Sequence, residues 1–155
     1  MPELPEVETI RRDLQFALLG KGIRSALFPT GKCITQTEKQ LRELLEGNRF
    51  ESVRRRGKLL IFDLAFGDKT LLVHLKMTGQ LICHIPGGLI VGGHPQANID
   101  DLPNKHTHAV IALADKTTLY FNDVRTFGYF KLVSDEELEV VLNKFGHEPL
   151  EEAFT

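Results

Sequence analysis

The sequence predicts a mainly β fold with flanking helices (α+β): an antiparallel β-sandwich or flattened barrel with an N-terminal helix and a C-terminal helix. Three observations lead there. Short runs rich in β-branched and aromatic residues recur through the middle of the chain, turn signals separate them, and helical periodicity is confined to the two ends and one early segment. With 155 residues and 42% hydrophobic content, the chain fits one compact domain with a sizeable core.

The elements follow in order. Between residues 5 and 19, Val7, Ile10, Leu14 and Leu18 recur at intervals of three and four, while Glu8, Arg11, Arg12 and Gln15 fall on other faces. This is an amphipathic helix, ended by Gly20-Lys21-Gly22. A short strand is expected at 23–28. Thr37-x-x-Gln40 then forms a capping box ahead of Leu41, Leu44 and Leu45, so a second helix runs to Gly47. Strands are expected at 50–56, 59–66, 70–76, 80–84, 108–114, 117–122 and 129–133, with turns such as Gly67-Asp68 and Asp115-Lys116 between them. Ser134-x-x-Glu137 opens a last helix through Leu138, Val141 and Leu142 to Gly146. From 85 to 105, Pro86, Gly87, Gly88, Gly92, Gly93, Pro95 and Pro103 interrupt any regular pattern, so a mobile surface loop is expected, anchored by Leu89-Ile90-Val91.

Charge and composition narrow the function. The net charge of −2 argues mildly against nucleic acid as partner, because phosphate binding calls for a basic surface. Local clustering cuts the other way, since Arg54-Arg55-Arg56-Gly57-Lys58 places four cations in five residues. A solvated edge that discourages sheet-to-sheet pairing explains the same run equally well. Cys33 and Cys83 lie far apart with no paired spacing, so they read as free thiols rather than zinc ligands or a disulfide. No apolar run approaches bilayer length, and the acidic start lacks the regions of a secretory signal, so a cytoplasmic protein is expected.

The first eight residues, Met1-Pro2-Glu3-Leu4-Pro5-Glu6-Val7-Glu8, carry the most chemistry. Removal of Met1 leaves Pro2 as a secondary amine beside a carboxylate. An α-amino group, with an ordinary pKa of roughly 7.7–8.0, keeps an appreciable unprotonated fraction near neutral pH and forms Schiff bases. Glu3 is then placed to move protons. On these residues alone a plainer account stands beside this one: prolines that start a helix, and glutamates that complement its positive end.

Five further features bear on the choice. Arg55-Arg56-Gly57-Lys58-Leu59-Leu60, His74-Leu75-Lys76-Met77-Thr78-Gly79 and Asn122-Asp123-Val124-Arg125-Thr126-Phe127-Gly128 follow the Pro2-Glu3 terminus, together with Lys105-His106-Thr107-His108 and Gly146-His147-Glu148-Pro149-Leu150. In this order and at these separations the chain resembles the N-terminal catalytic domain of formamidopyrimidine-DNA glycosylase, the bacterial repair enzyme for oxidised purines, and its endonuclease VIII relatives. The resemblance runs from residue 2 to about residue 154.

What the resemblance implies is specific. Pro2 would attack C1′ of the damaged nucleotide and displace the base, giving an imino intermediate, with Glu3 as proton donor and acceptor. Lys58 resembles the lysine of the β-elimination step. Met77, Arg125 and Phe127 match the residues that fill the stack vacated by an extruded nucleotide, and Arg125 would also bond the orphaned base. His74 and His106 resemble positions that contact DNA. Lys76 stands where the family usually has glycine, and Thr126 where a basic residue is common. The implied activity is DNA glycosylase with associated abasic-site lyase, acting on 8-oxoguanine and formamidopyrimidines. The implied partner is damaged double-stranded DNA, met by a monomer without a membrane.

Residues 1–147 are expected to be the catalytic domain, and 148–155 the start of a linker to an absent helix-two-turn-helix and zinc-finger region. No cofactor or metal is expected in this fragment, the family's structural zinc belonging to that region. Weak or absent activity on duplex DNA is therefore expected of an excised domain. The alternative is a non-catalytic DNA-binding or assembly domain that retains the fold. A remoter one is a metal-dependent enzyme using His106 and His108, two ligands without a third.

Overall fold

The computed structural model describes residues 4–93 and 101–145. Pro2, Glu3 and the expected linker at 148–155 lie outside the described residues. Two antiparallel sheets face each other. One has the order β1 (Ile23–Leu27), β7 (Thr107–Leu113), β8 (Thr118–Asp123), β5 (Gly79–Ile85) and β6 (Gly88–Gly93); the other runs β2 (Phe50–Arg56), β3 (Leu59–Leu64), β4 (Lys69–His74) and β9 (Tyr129–Ser134). The expected sandwich is the observed form, with helices α1 (Leu4–Leu18), α2 (Glu38–Leu45) and α3 (Asp135–Phe145) around it.

Both capping boxes form. Gln40 N donates to Thr37 Oγ1 at 3.1 Å while Thr37 N donates to Gln40 Oε1 at 3.0 Å, and Ser134 and Glu137 exchange the same pair of bonds. The core lies between the sheets, where Val7, Ile10 and Leu14 of α1 meet Val53, Leu60, Phe62, Leu81, Phe121 and Phe130. α3 covers the outer face of the four-stranded sheet through Leu138, Val141 and Leu142, packed on Leu59, Ile61 and Leu72. That second cover explains why β3 is apolar at four successive positions rather than alternating.

One expectation is corrected. The 85–105 stretch is not all loop, because Gly88–Gly93 pairs with β5 through a hairpin whose two-residue turn is Pro86-Gly87. Gly87 sits at φ 82°, which its missing side chain permits, and the flanking glycines concealed a strand built on Leu89-Ile90-Val91. This edge strand packs beside α1.

α1 closes the opposite edge of the other sheet and fixes its own direction in doing so. β2 has an unpaired outer edge, and there Val53 N donates to Gln15 Oε1 at 2.6 Å while Arg11 Nη1 donates to Val53 O at 3.1 Å. Gly20 N reaches Phe50 O at 2.8 Å at the start of β2, and Glu8 reaches Arg55 near its end. The helix therefore runs antiparallel to β2, with its N-terminal end directed toward the Gly57-Lys58 turn. Among the described residues no helix is long and apolar enough to cross a membrane.

Candidate nucleic-acid interface

Ladder register places the candidate residues at one end of the sandwich. Leu59, just after Lys58, pairs with His74, and His74 pairs with Tyr129 at the start of β9. In the other sheet Gly79 pairs with Asp123, and Thr107 with Asn122. The β4–β5 connection carries Lys76-Met77-Thr78 from one sheet to the other, and the β8–β9 connection carries Val124 to Gly128 back again. The Lys58 turn, His106 and the N-terminal end of α1 share this end.

Three of the candidate side chains lie together. Arg125 Nη1 lies 4.0 Å from Met77 Sδ, and its guanidinium stands 5.0 Å from the Phe127 ring centre. Met77 is 44% and Phe127 55% exposed, so neither is a core residue. Single exposed apolar side chains are ordinary, but two in contact with one arginine on adjacent crossover loops form a projecting patch.

The basic run divides along strand alternation. Arg54 binds Asp63 through Nε and Nη2, each at 2.7 Å. Arg55 points inward, is 1% exposed, and donates from Nε to Glu8 Oε1 at 3.0 Å and from Nη1 to Gly57 O at 3.0 Å. Two of the four cations thus hold the fold, which corrects both sequence readings of this run as a uniform basic edge. Glu8, expected on a polar face of α1, is 8% exposed and also accepts from Arg11 and Arg12. Burial pushes its carboxyl up, but the hydrogen bonds from Arg11, Arg55 and Arg12 outweigh it and hold it at about 2. Through Glu8 and Gly57 O, Arg55 ties the helix that follows the N-terminus to the turn that carries Lys58.

His74 accepts a hydrogen bond at Nδ1 from Lys76 N at 2.9 Å, so its Nε2 bears the proton. Burial, reinforced by the charges of Lys76 and Lys58, pushes its pKa down to about 4. An uncharged His74 is therefore expected to show a flat imidazole chemical shift from pH 8 to 5.5, measurable by NMR. Because the folded value lies below the ordinary 6.5, stability should fall as pH drops between 6.5 and 4, and not above that window.

His106 and His108 do not act together. His108 is buried; its Nε2 donates to Asp123 O at 2.8 Å and its Nδ1 accepts from Thr30 Oγ1 at 2.6 Å. Both ring nitrogens are engaged, so this histidine is a structural one. His106, half-buried in the turn before β7, donates its N–H to Asn104 Oδ1 at 2.9 Å. Among the described residues no group of three or more His, Cys, Asp and Glu side chains is arranged to hold a metal. Cys33 and Cys83 are free thiols, and burial pushes them up to about 12 and about 11.

Known proteins share this fold. Residues 1–130 match the family model for the formamidopyrimidine-DNA glycosylase N-terminal domain. The formamidopyrimidine-DNA glycosylase of Streptococcus thermophilus is 38% identical across 99% of this chain and 52% of its own length, and that of Pelotomaculum thermopropionicum is 39% identical across 100% and 52%. The chain thus spans about half the length of the curated relatives it matches. The Lactococcus lactis Fpg in a crystal structure with DNA containing N7-benzyl-Fapy-dG superposes with a TM-score of 0.74 at 32% identity, covering 92% of this chain and 48% of that one. The same Lactococcus protein has been solved with DNA containing an oxidised pyrimidine, again at a TM-score of 0.74 and 32% identity. With 130 of 155 residues inside one family model and the sandwich shared with a solved member, this chain belongs to the formamidopyrimidine-DNA glycosylase family, whose N-terminal domain it contains.

Proposed function

We propose that the chain is the catalytic domain of a bifunctional DNA glycosylase and abasic-site lyase that excises oxidised purines, 8-oxoguanine and formamidopyrimidines among them. With Met1 removed, the Pro2 amine attacks C1′ of the lesion nucleotide as the N-glycosyl bond breaks and the base leaves with a proton; opening of the sugar ring at the C1′–O4′ bond, with O4′ taking a proton, then leaves the proline nitrogen joined to C1′ as an iminium ion. Glu3 moves protons at that carbon. Lys58 holds the neighbouring phosphate through the β-elimination that follows. Met77, Arg125 and Phe127 occupy the stack that the extruded nucleotide leaves, while His74 and His106 position the backbone.

One observation carries the reading: the N-terminal end of α1, the Lys58 turn and both inter-sheet crossovers converge on one end of the sandwich. An exposed apolar-and-arginine patch beside a lysine suits a bent duplex with one nucleotide removed from its stack. The domain is taken as residues 1–147, working as a monomer, with the rest of the duplex grip and the structural zinc assigned to family regions beyond it.

Borohydride reduction during incubation with abasic-site DNA tests this proposal. The expected result at high protein concentration is a covalent protein–DNA adduct. Absence of an adduct, with Met1 shown to be removed, would favour a non-catalytic DNA-binding domain.

A further inference from the structure

We infer that Asp123 is a positioning residue, setting the two wedge-bearing loops in one arrangement ready for insertion into DNA. It is fully buried, and its carboxylate reaches both crossovers at once. Thr78 Oγ1 donates to it from the β4–β5 loop, while Arg125 N at 3.1 Å and Gly128 N at 2.7 Å donate from the β8–β9 loop. Its own N–H donates to His106 O at 3.0 Å, and its carbonyl accepts from His108, which Thr30 backs from behind. One residue therefore links Met77, Arg125, Phe127 and His106.

The loops it joins need holding. Lys76 at φ 53° and Thr126 at φ 60° stand immediately before Met77 and Phe127, each in a left-handed conformation that a side chain disfavours. Such conformations persist where the surroundings over-determine them, and they cluster at functional sites. Gly128 shows how close the packing is: a Cβ there would lie 2.7 Å from His74 O, 2.8 Å from the Phe121 ring and 2.9 Å from Asp123 Oδ2.

A role confined to folding fits less well. The strand ladders reach Gly79 and Asp123 through backbone bonds, whereas Thr78, Arg125 and Gly128, which bond the carboxylate, are loop groups beyond them. What the carboxylate sets is the direction in which the wedges project.

The inference rests on the proposed function, and its test separates the two. Borohydride trapping is measured on an abasic site in duplex DNA, where the wedges must enter the stack, and on the same site in a single strand, where no stack need be opened. D123N puts an amide N–H against backbone N–H groups, so the duplex-to-single-strand ratio of adduct should fall about tenfold or more, given that ~1 Å of misplacement can cost ~100-fold. M77A should lower the same ratio. T78V, which removes one bond and leaves the buried carboxylate in place, should move it in the same direction by less, and serves if D123N does not fold. An unchanged ratio in a folded D123N or T78V chain overturns the inference. Failure of the unaltered chain to trap even a single-stranded site overturns the proposed function, and the inference with it.

Discussion

A chain that keeps Met1 should form far less borohydride-trapped adduct with abasic-site DNA than one that begins at Pro2. Acylation by methionine converts the Pro2 nitrogen from a basic amine to a tertiary amide, which has no free lone pair for attack on an aldehydic carbon. The expected loss is about tenfold or more, because the amine that then remains at the terminus is that of Met1, one residue displaced from the position at which the Pro2 nitrogen meets the sugar. Mass spectrometry of the input separates the two forms, and a gel of the reduced reaction reads the result. Equal trapping by both forms would remove the amine from the mechanism.

Replacing Arg55 with methionine should be the most destabilising of the charge changes at this end of the molecule. The guanidinium is buried and bonds both Glu8 and Gly57 O, so its loss leaves a desolvated carboxylate and an open carbonyl. Breaking a buried pair from one side costs about 3–5 kcal/mol, and since Arg11 and Arg12 still hold Glu8, about 3 kcal/mol is expected here. For a chain of this size that lowers Tm by about 6–12 °C. By contrast, Arg49 with Glu51 is an exposed pair at 3.5 Å, and removing Glu51 should cost no more than about 0.5 kcal/mol. Thermal melts of the two variants settle the comparison. Equal, small shifts would contradict the bridging role of Arg55.

Glu8 gives this network a pH signature. Its folded value of about 2 lies below the ordinary 4.5, so the stability it contributes is complete above about pH 4.5 and is lost as pH falls toward 2. Glu8→Gln should therefore lower stability at pH 7 while removing that part of the acid sensitivity.

Much of this architecture was legible in the sequence because local signals agreed with the global fold. Both capping boxes named their helices, and the Val7, Ile10, Leu14 spacing named the face of α1 that enters the core. The candidate site's residues came from a different source: separated motifs occurred in one order that resembles a family, and antiparallel register gathers Lys58, His74, Met77 and Arg125 at one end.

What was missed shares a physical cause, since polar groups give no periodic signal for burial. Arg55 belongs to the same strand face as Val53, two residues earlier, so alternation alone marked it as inward-facing; its place in a run of cations hid this. Glu8 carried a sign too, in its spacing of three and four from Arg11 and Arg12. Asp123 stood inside a motif that the sequence singled out, but nothing local marked its carboxylate as a bridge, because its three loop partners come from two crossovers and meet only in the folded chain. Strand β6 was lost among glycines, whose entropy argues against regular structure until a neighbouring strand and helix supply the pairing and packing.

The trapped adduct itself carries the decisive information. Protease digestion of the reduced complex, followed by mass spectrometric sequencing of the peptide that retains the sugar remnant, locates the bond. A remnant on the Pro2 nitrogen is the expected outcome; a remnant on Lys58, or on any other lysine, would contradict the assignment of the terminus as nucleophile.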